Sequence, residues 1–172
     1  MSRSAREAQA LISKYDVQTL PVPIEEIARF EDVLIVRKSF DGTQSGFALR
    51  DGATRIIGVN SATSPRRQRF TIAHELGHLS LHEGKPLIVD HSMRIDWRDE
   101  RSSLGTHAEE MEANSFAAEI LMPQDLIRNE VASFMNSASL TREHLISRLA
   151  RKFDVSAEAM GYRLINLGVL AS

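Results

Sequence analysis

The sequence predicts an α+β fold that is mainly helical and carries a small three-stranded antiparallel sheet. Helical spacing of apolar residues dominates both ends of the chain, whereas three short strand candidates, two of them rich in Val and Ile, are grouped between residues 33 and 60. Asp-Gly pairs, which favour tight turns between antiparallel strands, separate these segments. Helices, a small sheet and then helices alone are the order expected of an α+β protein.

Two helices precede the predicted sheet. Residues Ala5 to Tyr15 repeat apolar side chains at helical spacing, and the segment Leu20 to Pro23 ends that helix. A short helix is predicted from Ile24 to Arg29, because Pro23 suits a helix start and acidic residues follow in the first turn.

The three strands are predicted at Val33–Val36, Gly46–Arg50 and Arg55–Asn60. The pair Asp41-Gly42 precedes the second strand, and Asp51-Gly52 precedes the third. Each pair is interpreted as a hairpin turn, so the strands are expected to pair antiparallel in the order of the chain.

The segment after the sheet predicts one well-bounded helix. Ser64 is a favourable N-cap residue and Pro65 suits the first helical position, while Glu83-Gly84 ends the helix. Residues 74–78 of this helix read His-Glu-Leu-Gly-His, and the residues on either side give the helix an apolar face.

Most of the remaining chain is also predicted to be helical. Residues 89–106 show no clean period and are interpreted as a surface loop, with a flap that contacts a substrate as the alternative. The predicted helices are Ala108–Met122, Gln124 to about Met135, and two between Thr141 and Leu170 that are separated by a turn near Asp154.

Length and composition restrict the class of protein. A chain of 172 residues suits one compact domain, with or without a small appendage, and the formal charge of -2 gives no overall attraction to nucleic acid or membranes. No apolar run approaches the roughly 20 residues that span a bilayer. The N-terminal residues lack the apolar segment of a secretory signal, so a cytoplasmic location is expected.

The absence of cysteine restricts any metal site to His, Asp and Glu ligands. Structural zinc sites usually contain cysteine, so a site in this chain is expected to be catalytic. His74 and His78 lie one helical turn apart on one face and can bind the same ion. Glu75 is adjacent to that ion, where it can act as a general base toward water.

A catalytic zinc site needs a third protein ligand. The metzincin arrangement places a histidine ten residues after the first one, and Gly84 occupies that position, so that class is excluded. His82 lies about 12 Å along the helix axis from His74. We therefore do not expect His82 to be a ligand and interpret it as a favourable charge at the end of the helix.

The helix that begins near residue 109 is the better source of the third ligand. In metallopeptidases that use two histidines and a glutamate, the glutamate comes from a second helix, and an Asp or Asn four residues later can orient one histidine. Glu110 and Asn114 fit this spacing. Glu112 is the main alternative ligand, about 200° around the helix from Glu110, and Glu109 and His107 are further alternatives.

Two sequence blocks together resemble the ImmA/IrrE family of zinc metallopeptidases. They are Arg69–His82 and Glu110–Pro123, which match in residue type and order. The resemblance implies a zincin-like core in which the motif helix packs on the sheet and on the helix that carries the third ligand. It also implies a bacterial zinc endopeptidase that cleaves helix-turn-helix repressors or antitoxin-like partners.

The family pattern assigns His74, His78 and a glutamate of the second block as ligands of one zinc ion, and Glu75 as the base. The ligand types are also compatible with manganese or iron. We expect Gly46–Arg50 to be a sheet edge that binds the substrate as an added strand. A second donor to the oxyanion is left open among Tyr162, His91 and His107.

The C-terminal segment suggests a rival function. Residues 1–136 are interpreted as the metallopeptidase domain and residues 137–172 as a helix-turn-helix-like segment in which Ser156 caps the second helix. The rival is a DNA-binding transcriptional regulator with a non-catalytic metal site. We favour packing on the core, because Ala157–Leu167 is largely apolar and offers few base-reading side chains. The basic residues available for phosphates are Arg148, Arg151, Lys152 and Arg163.

Overall fold

The computed structural model describes residues 2–40, 44–82, 86–91, 100–134 and 141–171, apart from the side chains of residues 89–91 and 100–106. Within these residues the chain forms seven helices and four strands. In chain order they are α1 (Arg3–Lys14), α2 (Ile24–Phe30), β1 (Val33–Lys38), β2 (Gln44–Asp51), β3 (Thr54–Asn60), α3 (Pro65–Leu81), β4 (Leu87–His91), α4 (Glu100–Leu121), α5 (Gln124–Phe134), α6 (Arg142–Phe153) and α7 (Ala157–Asn166).

The sheet differs from the predicted one in strand number and pairing. It has four strands in the order β1-β3-β2-β4. Strands β2 and β3 form the predicted antiparallel hairpin, with Asp51 opposite Thr54 and Gly52 at φ 56° in the turn. Strands β1 and β3 are parallel, so the sheet is mixed rather than antiparallel.

The first Asp-Gly pair, Asp41-Gly42, explains the wrong part of this prediction. A hairpin turn joins two strands that pair directly with each other. Because β3 lies between β1 and β2, the connection through Asp41-Gly42 cannot be a hairpin. Local sequence alone does not distinguish it from the true hairpin at Asp51-Gly52. Residues 41–43 themselves lie outside the described residues.

Strand β4 overturns two further predictions. Residues Leu87–His91 pair antiparallel with β2, whereas residues 89–91 were expected to belong to a surface loop. The strand has only five residues and pairs with β2 alone. A segment this short has little periodicity to detect. It also places β2 inside the sheet, and the expectation that Gly46–Arg50 forms an edge is therefore wrong.

Helix α4 begins at Glu100, eight residues before the predicted start. The added residues are mainly polar and lack an apolar stripe, so their sequence does not indicate a helix. Extending a helix that is already stabilised by packing needs no new nucleus, and polar residues can therefore join it. Residues 92–99, the rest of the predicted loop or flap, lie outside the described residues.

Helix α3 is the centre of the fold. It contacts β2 and β3 on one side and α4 on another, and α1 and α2 also pack against it. Ser64 caps it by accepting a hydrogen bond from the backbone N–H of Arg67, and Pro65 occupies its first turn, as predicted. Every residue from Thr71 to Leu79 is buried, which explains the weak helical periodicity of this segment.

The C-terminal helices share the main hydrophobic core. Thr141 caps the start of α6, and the predicted cap Ser156 accepts a hydrogen bond from Ala159 N–H at the start of α7. Four of their side chains are completely buried in the same cluster as α3 and α4, namely Leu149, Phe153, Met160 and Leu164. The domain boundary at residues 136 and 137 stays a prediction. No helix in the described part of the chain is both long enough and apolar enough to cross a bilayer.

Candidate active site

The two motif histidines face each other inside the fold. His74 and His78 are 3% and 1% exposed, and their Nε2 atoms are 3.1 Å apart. The helical spacing of four residues stacks them on one face of α3, as the sequence predicted. Two imidazole nitrogens therefore point to a common location rather than into separate parts of the core.

Glu110 of α4 completes a cluster with these histidines. Its Oε2 atom is 3.1 Å from His74 Nε2, and its Oε1 atom is 3.2 Å from His78 Nε2. The three residues form a group whose candidate ligand atoms lie within 4.8 Å of one another. The Glu110 side chain is 39% exposed, so the cluster is open on one side.

The donor set fits a divalent metal ion. A tetrahedral zinc ion with bonds of about 2.0–2.1 Å separates its ligand atoms by roughly 3.3–3.4 Å. The closest distances within the cluster, 3.1–3.2 Å, are near this spacing. Two imidazoles and one carboxylate are also the ligand types of many catalytic zinc sites, which leave one position for water.

The charge states of the cluster favour cation binding as well. Burial lowers the pKa of His78 and outweighs the opposing effect of the Glu110 carboxylate, so the imidazole is neutral near pH 7. Burial alone raises the pKa of Glu110, but its contacts with the His74 and His78 imidazoles hold this pKa well below its usual range. A neutral imidazole and an ionised carboxylate are the forms that bind metals.

Asn114 lies one turn after Glu110 on α4 and contacts the first histidine. Its Oδ1 atom is 3.0 Å from His74 Nδ1. Because an amide oxygen only accepts, the Nδ1–H of His74 donates this hydrogen bond, and the Nε2 lone pair is left facing the cluster. The structure thus brings Asn114 to the position that the sequence predicted for an orienting residue.

The comparison with known families agrees with this geometry. The profile of the IrrE N-terminal-like domain, a peptidase family, matches residues 28–165, which include α3 and the Glu110 block. The chain belongs to the ImmA/IrrE family of metallopeptidases.

Three relatives of known sequence extend the ImmA/IrrE comparison. The radiation response metalloproteases IrrE of Deinococcus radiodurans and Deinococcus deserti are 34% and 35% identical over 119 and 122 residues. These alignments cover 67% of this chain but only 33% and 39% of those proteins, so the chain spans little more than a third of their length. An uncharacterized immunity region protein 2 of Bacillus phage phi105 is 29% identical over 115 residues, covering 67% of this chain and 65% of that protein.

A solved structure shares the fold. A Mycobacterium tuberculosis transcriptional regulator superposes with a TM-score of 0.60 over 96% of this chain and 47% of that chain, at 18% sequence identity. At this identity the likeness supports the architecture of the ImmA/IrrE core, and not a shared activity.

Glu112 and His82 make contacts that the sequence did not predict. His82 Nδ1 is 3.0 Å from His78 Nδ1, and His82 Nε2 is 3.0 Å from Glu112 Oε2. The structure therefore separates the two candidate glutamates: Glu110 faces the pair of histidines, and Glu112 faces His82. The spacing of His82, four residues after His78, was the available signal for this contact.

The buried base candidate lies against the sheet. Glu75 is 0% exposed, and a Cβ atom added to Gly46 of β2 would lie 3.4 Å from its Oε1 atom. The same Cβ would lie 2.4 Å from Thr71 Cγ2 and 2.6 Å from the carbonyl oxygen of Gly58. Glycine at position 46 thus permits the close packing of β2 on α3 beside Glu75.

We expect Gly46→Ala to lower the free energy of unfolding by about 1–3 kcal/mol, because the new methyl group would overlap with backbone and side chain. Gly161→Ala in α7 is the matched control, since its Cβ would meet only Ile146 Cδ1 at an ordinary 3.7 Å. That change should stabilise the helix by up to about 1 kcal/mol. Urea unfolding of both variants tests this, and equal effects would contradict the packing role of Gly46.

Gly77 has a related role on the other side of α3. A Cβ atom there would lie 3.0 Å from Cδ1 and 3.2 Å from Cβ of Phe116 in α4. The close approach that glycine permits at this position is therefore made by a buried aromatic side chain. It brings α4, and with it Glu110, close to the motif helix.

The basic residues of the C-terminal helices mostly contact other parts of the chain. Arg163 pairs with Glu119 and donates to the carbonyl oxygen of Met122, which joins α7 to α4. Arg148 lies 4.2 Å above the ring of Phe134, and Lys152 Nζ is 2.6 Å from a carboxylate oxygen of Glu130. Arg151 is exposed. Sequence reasoning placed Arg163 among phosphate-binding candidates and missed its near-buried ion pair.

The structure does not select an oxyanion donor. Tyr162 is 63% exposed on α7 and His107 is exposed on α4. The side chain of His91, the third candidate, lies outside the described residues.

Proposed function

We propose that this chain is a zinc-dependent endopeptidase in which His74, His78 and Glu110 bind one zinc ion and Glu75 is the catalytic base. The convergence of the two Nε2 atoms and the Glu110 carboxylate at 3.1–3.2 Å carries this proposal. Membership of a metallopeptidase family supports it. Manganese or iron would find the same nitrogen and oxygen ligands.

The residues around the cluster have different chemical roles. When bound, zinc supplies a Lewis acid that acidifies water and polarises a peptide carbonyl. Glu75 follows His74 directly in the sequence, and its carboxylate accepts the proton of the attacking water and delivers it to the leaving amine. Asn114 keeps His74 in the tautomer and orientation that metal binding needs.

The unpaired edge of β4 is a better candidate for substrate binding than the segment Gly46–Arg50, which lies inside the sheet. Among the described strands β4 borders the sheet and pairs with β2 alone. An extended peptide can add to such an edge through backbone hydrogen bonds. Residue 90 of β4 pairs with Gly46 of β2, which packs beside Glu75, so a substrate bound along β4 would lie near the motif helix.

We further propose that the substrate is a helix-turn-helix repressor or an antitoxin-like partner. The resemblance of the two sequence blocks to a repressor-cleaving family supports this substrate class. The phage phi105 relative is named as an immunity region protein, which is consistent with a role in the control of repression. The relatives named IrrE are much longer than this chain, so their full activities are not transferred to it.

Incubation with the helix-turn-helix repressor encoded nearest to this gene tests the proposal. We expect the zinc-loaded protein to cut the repressor at one or a few positions, as detected by mass spectrometry. A chelator should stop the cleavage, and added zinc should restore it. Comparison of zinc, manganese and iron in the restoration step identifies the active metal. An intact repressor with every metal would contradict the proposed function.

The alternative function, a DNA-binding transcriptional regulator with a non-catalytic metal site, has weaker support. Arg148, Lys152 and Arg163 contact Phe134, Glu130 and Glu119, so three of the four candidate phosphate contacts are engaged within the chain. The four completely buried apolar side chains of α6 and α7 favour a packing role for these helices.

A further inference from the structure

We propose that His82 and Glu112 are positioning residues that hold His78 in the orientation and tautomer required for metal binding. The inference rests on the proposed metal site and adds two residues to it. Its basis is a continuous series of contacts from the cluster to a carboxylate. His78 Nδ1 is 3.0 Å from His82 Nδ1, and His82 Nε2 is 3.0 Å from Glu112 Oε2.

Hydrogen-bond direction allows one arrangement that leaves His78 Nε2 free for a metal ion. In that arrangement the proton of neutral His78 is on Nδ1 and is donated to His82 Nδ1. His82 then carries its own proton on Nε2 and donates it to the Glu112 carboxylate. Each atom in the series has one defined role, so Glu112 determines the tautomer of His82, and His82 determines that of His78.

The surroundings of His82 favour this role over that of an exposed charge at the helix end. His82 is only 8% exposed, although it is the C-cap residue of α3. Arg50 of β2 already supplies a cation at this end of the helix, because its guanidinium donates to the carbonyl oxygens of Leu79 and His82. The backbone of His82 is held by α3 and Arg50, and its ring is held by Glu112.

The two motif histidines are consequently supported in different ways. His74 donates to the neutral amide oxygen of Asn114, whereas His78 is linked through an imidazole to an anionic carboxylate. A carboxylate hydrogen-bonded to a metal-binding histidine raises its basicity and limits its rotation. We expect the link through His82 to transmit part of this effect to His78, so that metal affinity depends on residues that do not contact the ion.

Zinc affinity, measured by competition with a chromophoric chelator, tests the proposal without relying on peptidase activity. His82→Phe removes the acceptor and is expected to weaken zinc binding by about 10–100-fold, the range seen when outer hydrogen-bond partners of metal ligands are lost. His82→Asn retains an acceptor oxygen near the Nδ1 position and should recover most of the affinity. Glu112→Gln should weaken binding by about tenfold.

A double variant separates this role from a general structural one. If Glu112 acts only through His82, then Glu112→Gln should have no further effect on zinc affinity in the His82→Phe background. His144→Phe and Glu143→Gln make the same chemical changes at exposed positions of α6 and should leave zinc affinity unchanged. Thermal unfolding of each metal-free variant shows whether it is folded.

The possible failures are distinguishable. A wild-type protein that binds no zinc would overturn the proposed metal site itself. Tight binding by wild type with unchanged affinity in His82→Phe and Glu112→Gln would overturn the positioning role alone. An equal effect of Glu112→Gln in both backgrounds would also overturn it, because the two residues would then act independently.

Discussion

Glu75→Gln is expected to reduce the rate of peptide cleavage by about 10²–10⁴-fold, the usual contribution of a general base. The amide of glutamine has nearly the same shape as the carboxylate but cannot accept the proton of the attacking water. Because Glu75 is completely buried, a change that preserves shape is needed to separate the chemical role from packing. The measurement is the single-turnover rate at which the intact repressor is cleaved.

The same variant should bind zinc with unchanged affinity, since Glu75 is not among the three residues of the cluster. Glu119→Gln is a matched control, because Glu119 is also a buried carboxylate and lies about 13 Å along α4 from Glu110. It is expected to lower stability through Arg163 but to retain the cleavage rate of the folded protein. A Glu75→Gln rate within tenfold of wild type would remove Glu75 from the mechanism.

Glu110→Gln is expected to weaken zinc binding by more than about 100-fold, beyond the range for residues that act through a ligand. The change removes the one negative charge of the cluster while keeping the length of the side chain. Glu112→Gln is the matched comparison, because the two glutamate side chains are similarly exposed at 39% and 42%. Chelator competition on the two variants gives the affinities.

The order of the two affinities discriminates between the glutamates. Weaker binding by Glu110→Gln assigns Glu110 as the ligand and leaves Glu112 with the smaller effect expected from its contact with His82. Weaker binding by Glu112→Gln would instead restore the alternative ligand that the sequence left open, and the 3.1–3.2 Å contacts of Glu110 would then have no role in metal binding.

The helices were largely predictable because their signals are local. Ser64 with Pro65, and Ser156 before α7, mark helix starts through contacts within one turn. The sheet was less predictable, since its strand order depends on distant pairing. Strand β3 lies between β1 and β2, and β4 joins from beyond α3, which no turn motif between neighbouring strands records.

Ion pairs between distant parts of the chain were also not predictable from the sequence. Arg163 is 44 residues from Glu119 and lies in the second helix of the segment that the sequence predicted to be helix-turn-helix-like. Packing of α7 on α4 determines that its guanidinium is nearly buried and paired instead. Partners that are brought together by packing leave no periodic pattern in either segment.

The sequence by itself determined the chemistry that the site can offer. His74, Glu75 and His78 lie within about one helical turn, and helix geometry alone places both imidazoles on one face. The absence of cysteine limited the ligands to nitrogen and oxygen donors. These conclusions depend on residue type and local geometry, and tertiary packing does not change them.

Only the tertiary structure decided which glutamate faces the histidines and what His82 contacts. Glu110 and Glu112 lie on the same helix, two residues apart, and both are about 30 residues or more from their partners on α3. The rotation of α4 about its own axis, set by contacts such as Phe116 against Gly77, determines which side chain meets which histidine. A helical pattern specifies the angle between two side chains on one helix, but packing against a neighbour specifies where that helix points them.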